Sequence, residues 1–189
     1  MKRALILAAL LLTACQPEKQ DISPVELTET ATGYYCQMQL LEHPGPKAQV
    51  HLEGAPGKPL FFSQVRDAIA YSRLPEQDGV ILAIYVNDMG AAGATWDTPG
   101  VMNWIAADKA NYVVGSGVEG GMGAPELVPF SDPDKAADFA AAKGGTVMAL
   151  PDVPDSAVIA PVDQSGHDGM EGDADFNNRL KSLSEKIGE

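Results

Sequence analysis

The chain has 189 residues, of which 45% are hydrophobic and 21% charged, and its formal net charge is −13. This acidic balance excludes nucleic acid as a partner and disfavours anionic lipid surfaces, because both repel a negatively charged protein. A cationic partner surface or a cationic cargo is the better match. Beyond the N-terminal segment no apolar run is long enough to cross a bilayer, so the composition predicts a globular domain.

The N-terminal residues have the layout of a lipoprotein signal. Residues 1–14 begin with a basic pair and continue in a short apolar run, and the sequence LTAC then ends at Cys15. This pattern predicts a signal peptide cleaved before Cys15, lipid on the cysteine, and a mature protein held at a membrane by acyl chains. Gln16 stands where an aspartate would favour retention in the inner membrane. We therefore expect a protein that is anchored in the outer membrane and faces the periplasm.

A tether and a first folded module follow the lipidated cysteine. Residues 15–32 are rich in Pro, Glu, Gln and Thr, which predicts a flexible tether. Residues 33–88 have the pattern of strand, strand, helix and strand, bounded by turns that are rich in proline and glycine. The predicted elements of this first module are residues 33–40, 48–52, 60–74 and 80–86.

A second module, residues 89–150, repeats the same order of elements. Its helix has the clearest signals, because Ser131 or Asp132 can cap it, Pro133 suits its first turn and glycines follow its last turn. We predict an α+β fold of two small tandem ββαβ modules, which pack together because neither buries much core alone. The predicted elements of this second module are residues 111–115, 126–130, 132–143 and 146–150.

The last part of the chain, residues 151–189, is acidic and has several prolines near its start. Such a composition cannot bury enough apolar surface to order a chain. We predict an exposed, disordered tail that ends in a marginal helix at residues 175–186.

Cys36 and Met38 form a C-x-M triplet in the first predicted strand. Residues i and i+2 of a strand point to the same face, so the two sulfur atoms would lie side by side. A thiolate and a thioether together select monovalent copper over the hard cations, which prefer oxygen. Since lipid consumes Cys15, Cys36 has no disulfide partner in this chain, and a bound metal would explain the lone thiol. The alternative is that both residues are ordinary core.

A third donor would come from a loop that faces this pair. The sequences HPGP at residues 43–46 and GGMG at residues 120–123 are predicted to be equivalent hairpin tips of the two modules. If the modules face each other, Met122 is the third sulfur donor. Met89 and His43 are alternatives for the same role.

Several longer motifs occur together with the C-x-M triplet, namely HPGPKAQV, RDAIAY, VNDMG, NWIAADKANYVVGS and GGMGAPELVPFSD. Over residues 34–150 the chain resembles the NosL family, which are copper-binding lipoproteins accessory to nitrous oxide reductase. The resemblance implies a periplasmic protein that binds one Cu(I) through Cys36 and Met38 and hands it on for assembly of the reductase's copper centres. An ABC-type membrane complex for copper and sulfur maturation is the implied partner, and the reductase itself is a further candidate. The middle residue of the triplet is often glycine in relatives and is Gln37 here.

Two other classes of function are compatible with a lone thiol. Cys36 could be the nucleophile of a thiol-dependent enzyme, but once Cys15 is lipidated the chain offers no second thiol to resolve an intermediate, and it has no hydrolase motif, so we predict that it is not an enzyme. The chain could also be an interaction lipoprotein whose sulfur pair only packs. Met38→Ala would impair Cu(I) binding if the chain is a copper chaperone. It would leave thiol reactivity if the chain is a thiol-dependent enzyme, and it would cost only packing stability if the chain is an interaction lipoprotein.

Overall fold

The computed structural model describes residues 19–159, so the signal peptide, Cys15 and the tail from residue 160 lie outside the described residues. In the described part of the chain, no helix combines the length and the apolar character that crossing a membrane requires. Within residues 19–159, two antiparallel sheets and two α-helices make up the fold.

The first sheet has four antiparallel strands in the order β2-β1-β3-β4. Its central strand β1 is buried at every position because neighbours flank both of its edges and both of its faces are covered. Ala48, Val50 and Leu52 face the helix α1 and the core, whereas Gln49 and His51 alternate onto the opposite face. The bounds are β1 Ala48–Leu52, β2 Leu60–Phe62, α1 Val65–Arg73, β3 Ile81–Asn87 and β4 Trp104–Ala106.

The second sheet has three antiparallel strands in the order β6-β5-β7, covered by the helix α2. The predicted helix signals act as expected: the Asp132 side chain accepts from Asp134 N at 2.9 Å, and Gly144 ends the helix with a φ of 80°. The bounds are β5 Asn111–Val114, β6 Val128–Phe130, α2 Pro133–Lys143 and β7 Thr146–Ala149.

The predicted fold class is confirmed. Each sheet is built on a strand, strand, helix, strand unit whose first strand is central. One core cluster joins both units, because Tyr112 and Leu127 pack with Val50, Phe62 and Ile69. β4 lies within residues 89–150, which were predicted to form the second module, but it extends the first sheet. The module boundary at residue 88 therefore stays a prediction.

The strands of the first module are shifted by one element relative to the prediction. Residues 33–40 are not a strand, and β1 is the first strand of the unit instead of the second. The second strand, β2, occupies the start of the predicted helix 60–74, since Phe62 pairs with Ala48 and is buried. The helix itself starts at Val65, where a carboxylate from the second module accepts its first amides.

The predicted tether is packed onto the first sheet over residues 19–32. The Gln49 side chain accepts from Val25 N at 2.8 Å and donates to Val25 O at 3.0 Å. Leu27 is buried and its N–H donates to Val101 O at 3.0 Å. The prediction of flexibility is wrong for these residues because it considered their composition and not the polar face that β1 offers them.

The start of the predicted tail is also ordered. Residues 150–159 contain two single 3-10 turns, Leu150–Asp152 and Asp155–Ala157, and Val153 and Val158 join the shared core. Arg73 donates to Val153 O and Asp155 Oδ1, both at 2.8 Å. Apolar residues spaced between prolines thus complete the core where the acidic composition predicted disorder.

Candidate metal centre

Cys36 lies in a tight turn that precedes the first sheet. Residues 34–36 form the turn, and an isolated bridge between Thr32 and Gln39 closes its base. The prediction that Cys36 and Met38 share one face of a strand is therefore wrong. The chain reverses direction between Thr32 and Gln39. Cys36 and Met38 therefore both lie in this reversal, with Cys36 in the turn and Met38 just after it.

Backbone hydrogen bonds close this turn on itself. Gly33 N donates to Met38 O at 3.0 Å and Gln37 N donates to Gly33 O at 2.8 Å. Gln37 has a φ of 56°, a left-handed conformation that is uncommon for residues other than glycine. Its side-chain amide donates to Tyr34 O at 2.6 Å, which holds the residue in this conformation.

Gly33 makes room for the thiol. A methyl group at Gly33 would lie within 3.0 Å of Cys36 Sγ, so the sulfur packs directly over the glycine. Cys36 is half-buried, whereas the Met38 side chain is 41% exposed. The turn therefore offers one sheltered sulfur and one accessible sulfur to a ligand.

Aromatic rings support the turn from the side of the first module. Tyr34 packs against Phe62 and Tyr71 at centroid distances of 5.7 and 5.6 Å. Its hydroxyl donates to the Asp78 carboxylate, and this hydrogen bond raises the pKa of Tyr34 to about 12. The exposed ring of Tyr35 packs edge-on against Phe62 at 5.2 Å. These contacts tie the residues just before Cys36 to β2 and α1.

Met122 lies in the loop between β5 and β6, and its side chain is 42% exposed. Gly120 N donates to Ala124 O at 2.8 Å and Gly123 N donates to Gly120 O at 2.9 Å, which makes the tip of the loop compact. Met122 N donates to the side-chain oxygen of Gln64 at 2.9 Å. The loop of the second module is thus attached to the first module at Met122 itself.

The HPGP and GGMG segments meet, although they are not equivalent hairpin tips. HPGP precedes β1, whereas the hairpin of the first module lies between β1 and β2. A methyl group at Gly121 would lie 2.7 Å from His43 Cβ and 2.9 Å from Pro44 O, so the two backbones are in close contact. The equivalence predicted from sequence is wrong, but the two loops lie together.

The alternatives for a third donor differ in their surroundings. Met89 is partly buried and packs against the core cluster of the second sheet. His43 Nε2 is buried and makes no hydrogen bond within residues 19–159. His43 also lines a cavity of about 260 Å³ with Leu41. Because His43 Nε2 has no hydrogen bond in the described residues, it is available to bind a metal ion. The Met89 side chain is engaged in packing instead.

A buried lysine and a buried glutamate lie behind these loops. Lys47 donates to Pro44 O at 3.0 Å and to Gly45 O at 2.5 Å, and its burial lowers its pKa to about 8, against the opposing negative charges of Glu126 and Cys36. Burial raises the pKa of Glu126 to about 8, while amide donors oppose the shift. Lys47 and Glu126 are thus two buried ionisable groups next to the loops, and burial disfavours the charged form of each.

The family model of NosL matches residues 24–158 of the chain. The chain belongs to the NosL family. It is 59% identical to the copper-binding lipoprotein NosL of Achromobacter cycloclastes over all of this chain and 97% of that relative. Identity to the copper-binding lipoprotein NosL of Stutzerimonas stutzeri is 29%, over 87% of this chain and 85% of that relative. Among solved structures, the crystal structure of the copper chaperone NosL from Shewanella denitrificans matches with a TM-score of 0.62 and 26% identity, over 75% of this chain and 99% of that one.

Sequence reasoning named candidate sulfur donors in this NosL-family chain but missed the groups that hold their backbones. Gln64 contacts the Met122 loop from a distant part of the chain, Glu126 joins the base of that loop to the start of α1, and Gly33 contacts the Cys36 sulfur only because the chain turns. Gln64 is 2% exposed, and a buried polar side chain needs a hydrogen-bond partner. A polar residue beside a helix start was the signal that could have identified it. Within the described residues no group of three or more His, Cys, Asp or Glu side chains is arranged to hold a metal ion.

Proposed function

We propose that this chain is a lipid-anchored copper chaperone that binds one Cu(I) through Cys36 and Met38. The observation that carries the proposal is the turn in which a half-buried thiol packs over Gly33 while a thioether two residues away is exposed. Thiolate and thioether are soft ligands that prefer monovalent copper. The two relatives in Achromobacter cycloclastes and Stutzerimonas stutzeri are copper-binding lipoproteins, and the matched crystal structure is that of a copper chaperone.

Each donor has a distinct role in the proposal. Cys36 is the anionic anchor, because its sulfur is sheltered and held by the turn. Met38 is the neutral second donor, and Met122 is the exchangeable third donor, because both thioethers are accessible to an incoming partner. His43 competes with Met122 for the third position, since its Nε2 is buried without a hydrogen bond in the described part of the chain. A low coordination number lets a partner's ligand add to the ion before a chaperone ligand leaves.

Delivery and localisation follow from the same proposal. Lipid on Cys15 would anchor the protein in the outer membrane, as predicted from Gln16, with the folded part in the periplasm. We propose that copper passes to an ABC-type maturation complex, or to nitrous oxide reductase itself, for assembly of the reductase's copper centres. The acidic surface, with a net charge of −13, favours a cationic partner surface. The chain would bind and transfer its cargo and would not act as an enzyme.

The first experiment is an anaerobic titration of the mature chain with Cu(I) against a chromogenic competitor. Residues 15–189 carrying Cys15→Ser lack the lipidation site and retain a single thiol. We expect one tight equivalent in this protein, no tight binding after Cys36→Ser, and weaker binding after Met38→Ala. Met102→Ala is the matched control, because Met102 is an exposed methionine at 57% outside the turn. Tight binding that survives Cys36→Ser would overturn the proposed centre.

Delivery needs a separate experiment. The Cu(I)-loaded protein is mixed with the purified maturation complex or with the copper-free reductase, and the copper content of each is measured after separation. Transfer that depends on Met122 but not on Met102 would support the exchangeable third donor. Equal transfer from free Cu(I) and from the loaded protein would contradict a chaperone role.

A further inference from the structure

Gln64 joins the two modules at the loop that carries Met122. It is 2% exposed and stands immediately before the first residue of α1. Its side-chain oxygen accepts from Met122 N at 2.9 Å and from Ala124 N at 3.4 Å. Its side-chain nitrogen donates to Asp67 Oδ2 at 3.1 Å, and because a carboxylate only accepts, this bond fixes which end of the amide faces the loop.

Glu126 fixes the base of the same loop to the same helix end. Its carboxylate accepts from Val65 N at 3.3 Å and from Arg66 N at 3.0 Å, which are the first amides of α1. It also accepts from Leu127 N at 2.9 Å. The first amides of a helix have no partner within the helix, and a carboxylate is well placed there. A residue of the second module therefore completes the helix of the first.

Two glycines allow the loop to come this close. A methyl group at Gly120 would lie 2.5 Å from Glu126 Oε2 and 2.7 Å from Gln64 Oε1. A methyl group at Gly121 would lie 2.7 Å from His43 Cβ on the opposite side of the loop. The segment before Met122 is thus enclosed between the polar pair and the HPGP segment.

We infer that Gln64 is the positioning residue for the third copper donor. Its amide oxygen holds the backbone of Met122, and Glu126 holds the base of the loop, so that the exposed thioether starts from a fixed backbone. This inference rests on the proposed function, in which Met122 is a ligand. Without Gln64 the loop would have to be ordered when copper binds, and that cost would weaken binding.

The test uses the mature chain with Cys15→Ser and three variants, Gln64→Leu, Met122→Ala and the double variant. Gln77→Leu is the matched control, because Gln77 is also a glutamine next to α1. Within residues 19–159 its side chain donates to backbone carbonyls at Ser72 and Leu74 and makes no hydrogen bond to the loop at residues 115–127. Amide hydrogen exchange of Met122 is measured without copper. Cu(I) affinity and the number of sulfur neighbours of copper by X-ray absorption are measured with copper.

We expect Gln64→Leu to speed exchange of the Met122 amide by at least roughly tenfold and to weaken Cu(I) binding by roughly 5- to 10-fold, the range of one hydrogen bond. The copper in this variant should lose one sulfur neighbour, as in Met122→Ala. The double variant should bind no more weakly than Met122→Ala alone, because both changes remove the same donor. Gln77→Leu should leave all three readouts unchanged.

The outcomes separate the inference from the proposed function. If Met122→Ala weakens binding but Gln64→Leu binds copper like the unmodified chain, the positioning role is wrong and the donor set stands. If Met122→Ala has no effect on affinity or on sulfur neighbours, the donor set is wrong and the inference falls with it. Should Gln64→Leu fail to fold, Gly121→Ala replaces it, because it displaces the loop from His43 without removing a polar group. Binding unchanged in Gly121→Ala would then overturn the inference.

Discussion

Substitution of Gly33 by alanine tests whether the position of the Cys36 thiol determines copper binding. Gly33 has no positive φ, so alanine is compatible with its backbone and only the space beside it matters. The new methyl group would lie within 3.0 Å of Cys36 Sγ, whereas ordinary contacts begin near 3.4 Å. The sulfur must therefore move, or the turn must open.

The size of the effect follows from that displacement. A shift of about 1 Å at Sγ corresponds to a χ1 rotation of roughly 30 to 35°, which costs about 0.5–1.5 kcal/mol. Because about 1.4 kcal/mol corresponds to a tenfold change in affinity, Cu(I) binding should weaken by about 3- to 10-fold. Without copper the sulfur can stay in its displaced position, so the melting temperature of the copper-free protein should fall by no more than a few degrees.

The assay is the competitive Cu(I) titration, accompanied by thermal unfolding of the copper-free protein. Gly79→Ala is the matched control, because a methyl group there meets no atom within 4 Å and its φ is also not positive. We expect affinity to fall in Gly33→Ala and to stay unchanged in Gly79→Ala. Unchanged affinity in a folded Gly33→Ala protein, together with loss of binding in Cys36→Ser, would refute the idea that copper requires the sulfur where this turn holds it.

Three further predictions concern the structure around the site. Burial raises the pKa of Glu126 from 4.5 to about 8, so the folded state binds a proton more tightly than the unfolded state. The free energy of unfolding should therefore fall as pH rises from about 4.5 to about 8. Urea unfolding across this range should show a smaller fall in Glu126→Gln, and an equal dependence of the free energy of unfolding on pH in both proteins would contradict the prediction. Gln49→Leu removes both bonds to Val25 and should lower the free energy of unfolding by about 2–3 kcal/mol, with faster proteolysis within residues 19–32, whereas unchanged proteolysis would show that the segment is held by other contacts. Gln37→Gly relieves a left-handed φ but loses the bond to Tyr34 O, so its free energy of unfolding should stay within about 1 kcal/mol of the original. Gln37→Val should lower the free energy of unfolding by more than about 1 kcal/mol, because a branched side chain tolerates that φ poorly. Equal stabilities of the two variants in urea would contradict the assigned turn.

The second module could be predicted from sequence because its signals are local. Asp132 and Pro133 start α2 and Gly144 ends it, and each acts within one turn of its own position. The first module was predicted less accurately because its helix start depends on a distant group. Leu60 and Phe61 continue the apolar spacing of α1, and nothing nearby shows that the helix begins only where Glu126 meets its amides.

The candidate site divides in the same way. The C-x-M triplet and the compartment pointed to a soft metal, since residue chemistry can be read one position at a time. The geometry of the triplet could not be read, because tyrosines beside Cys36 favour a strand and the left-handed conformation of Gln37 is an exception to its usual preference. The role of Gly33 was also hidden, because its neighbour is a sulfur atom three residues away that approaches only after the chain turns.

The shared core holds the two units together beside the proposed site. Each sheet has only one α-helix in the described residues, and the largest core cluster contains Tyr112 and Leu127 from the second unit together with Phe62 from the first. Once this core fixes the two units together, Gln64 and Glu126 can bond across the junction at no further cost in ordering the modules. The loop that carries Met122 then meets the HPGP segment of the first unit while both backbones are already fixed. If copper binds Met122 as well as the turn, as proposed, it should stabilise the contact between the modules, and the amide exchange of α1 and of residues 115–127 should slow together when Cu(I) is added.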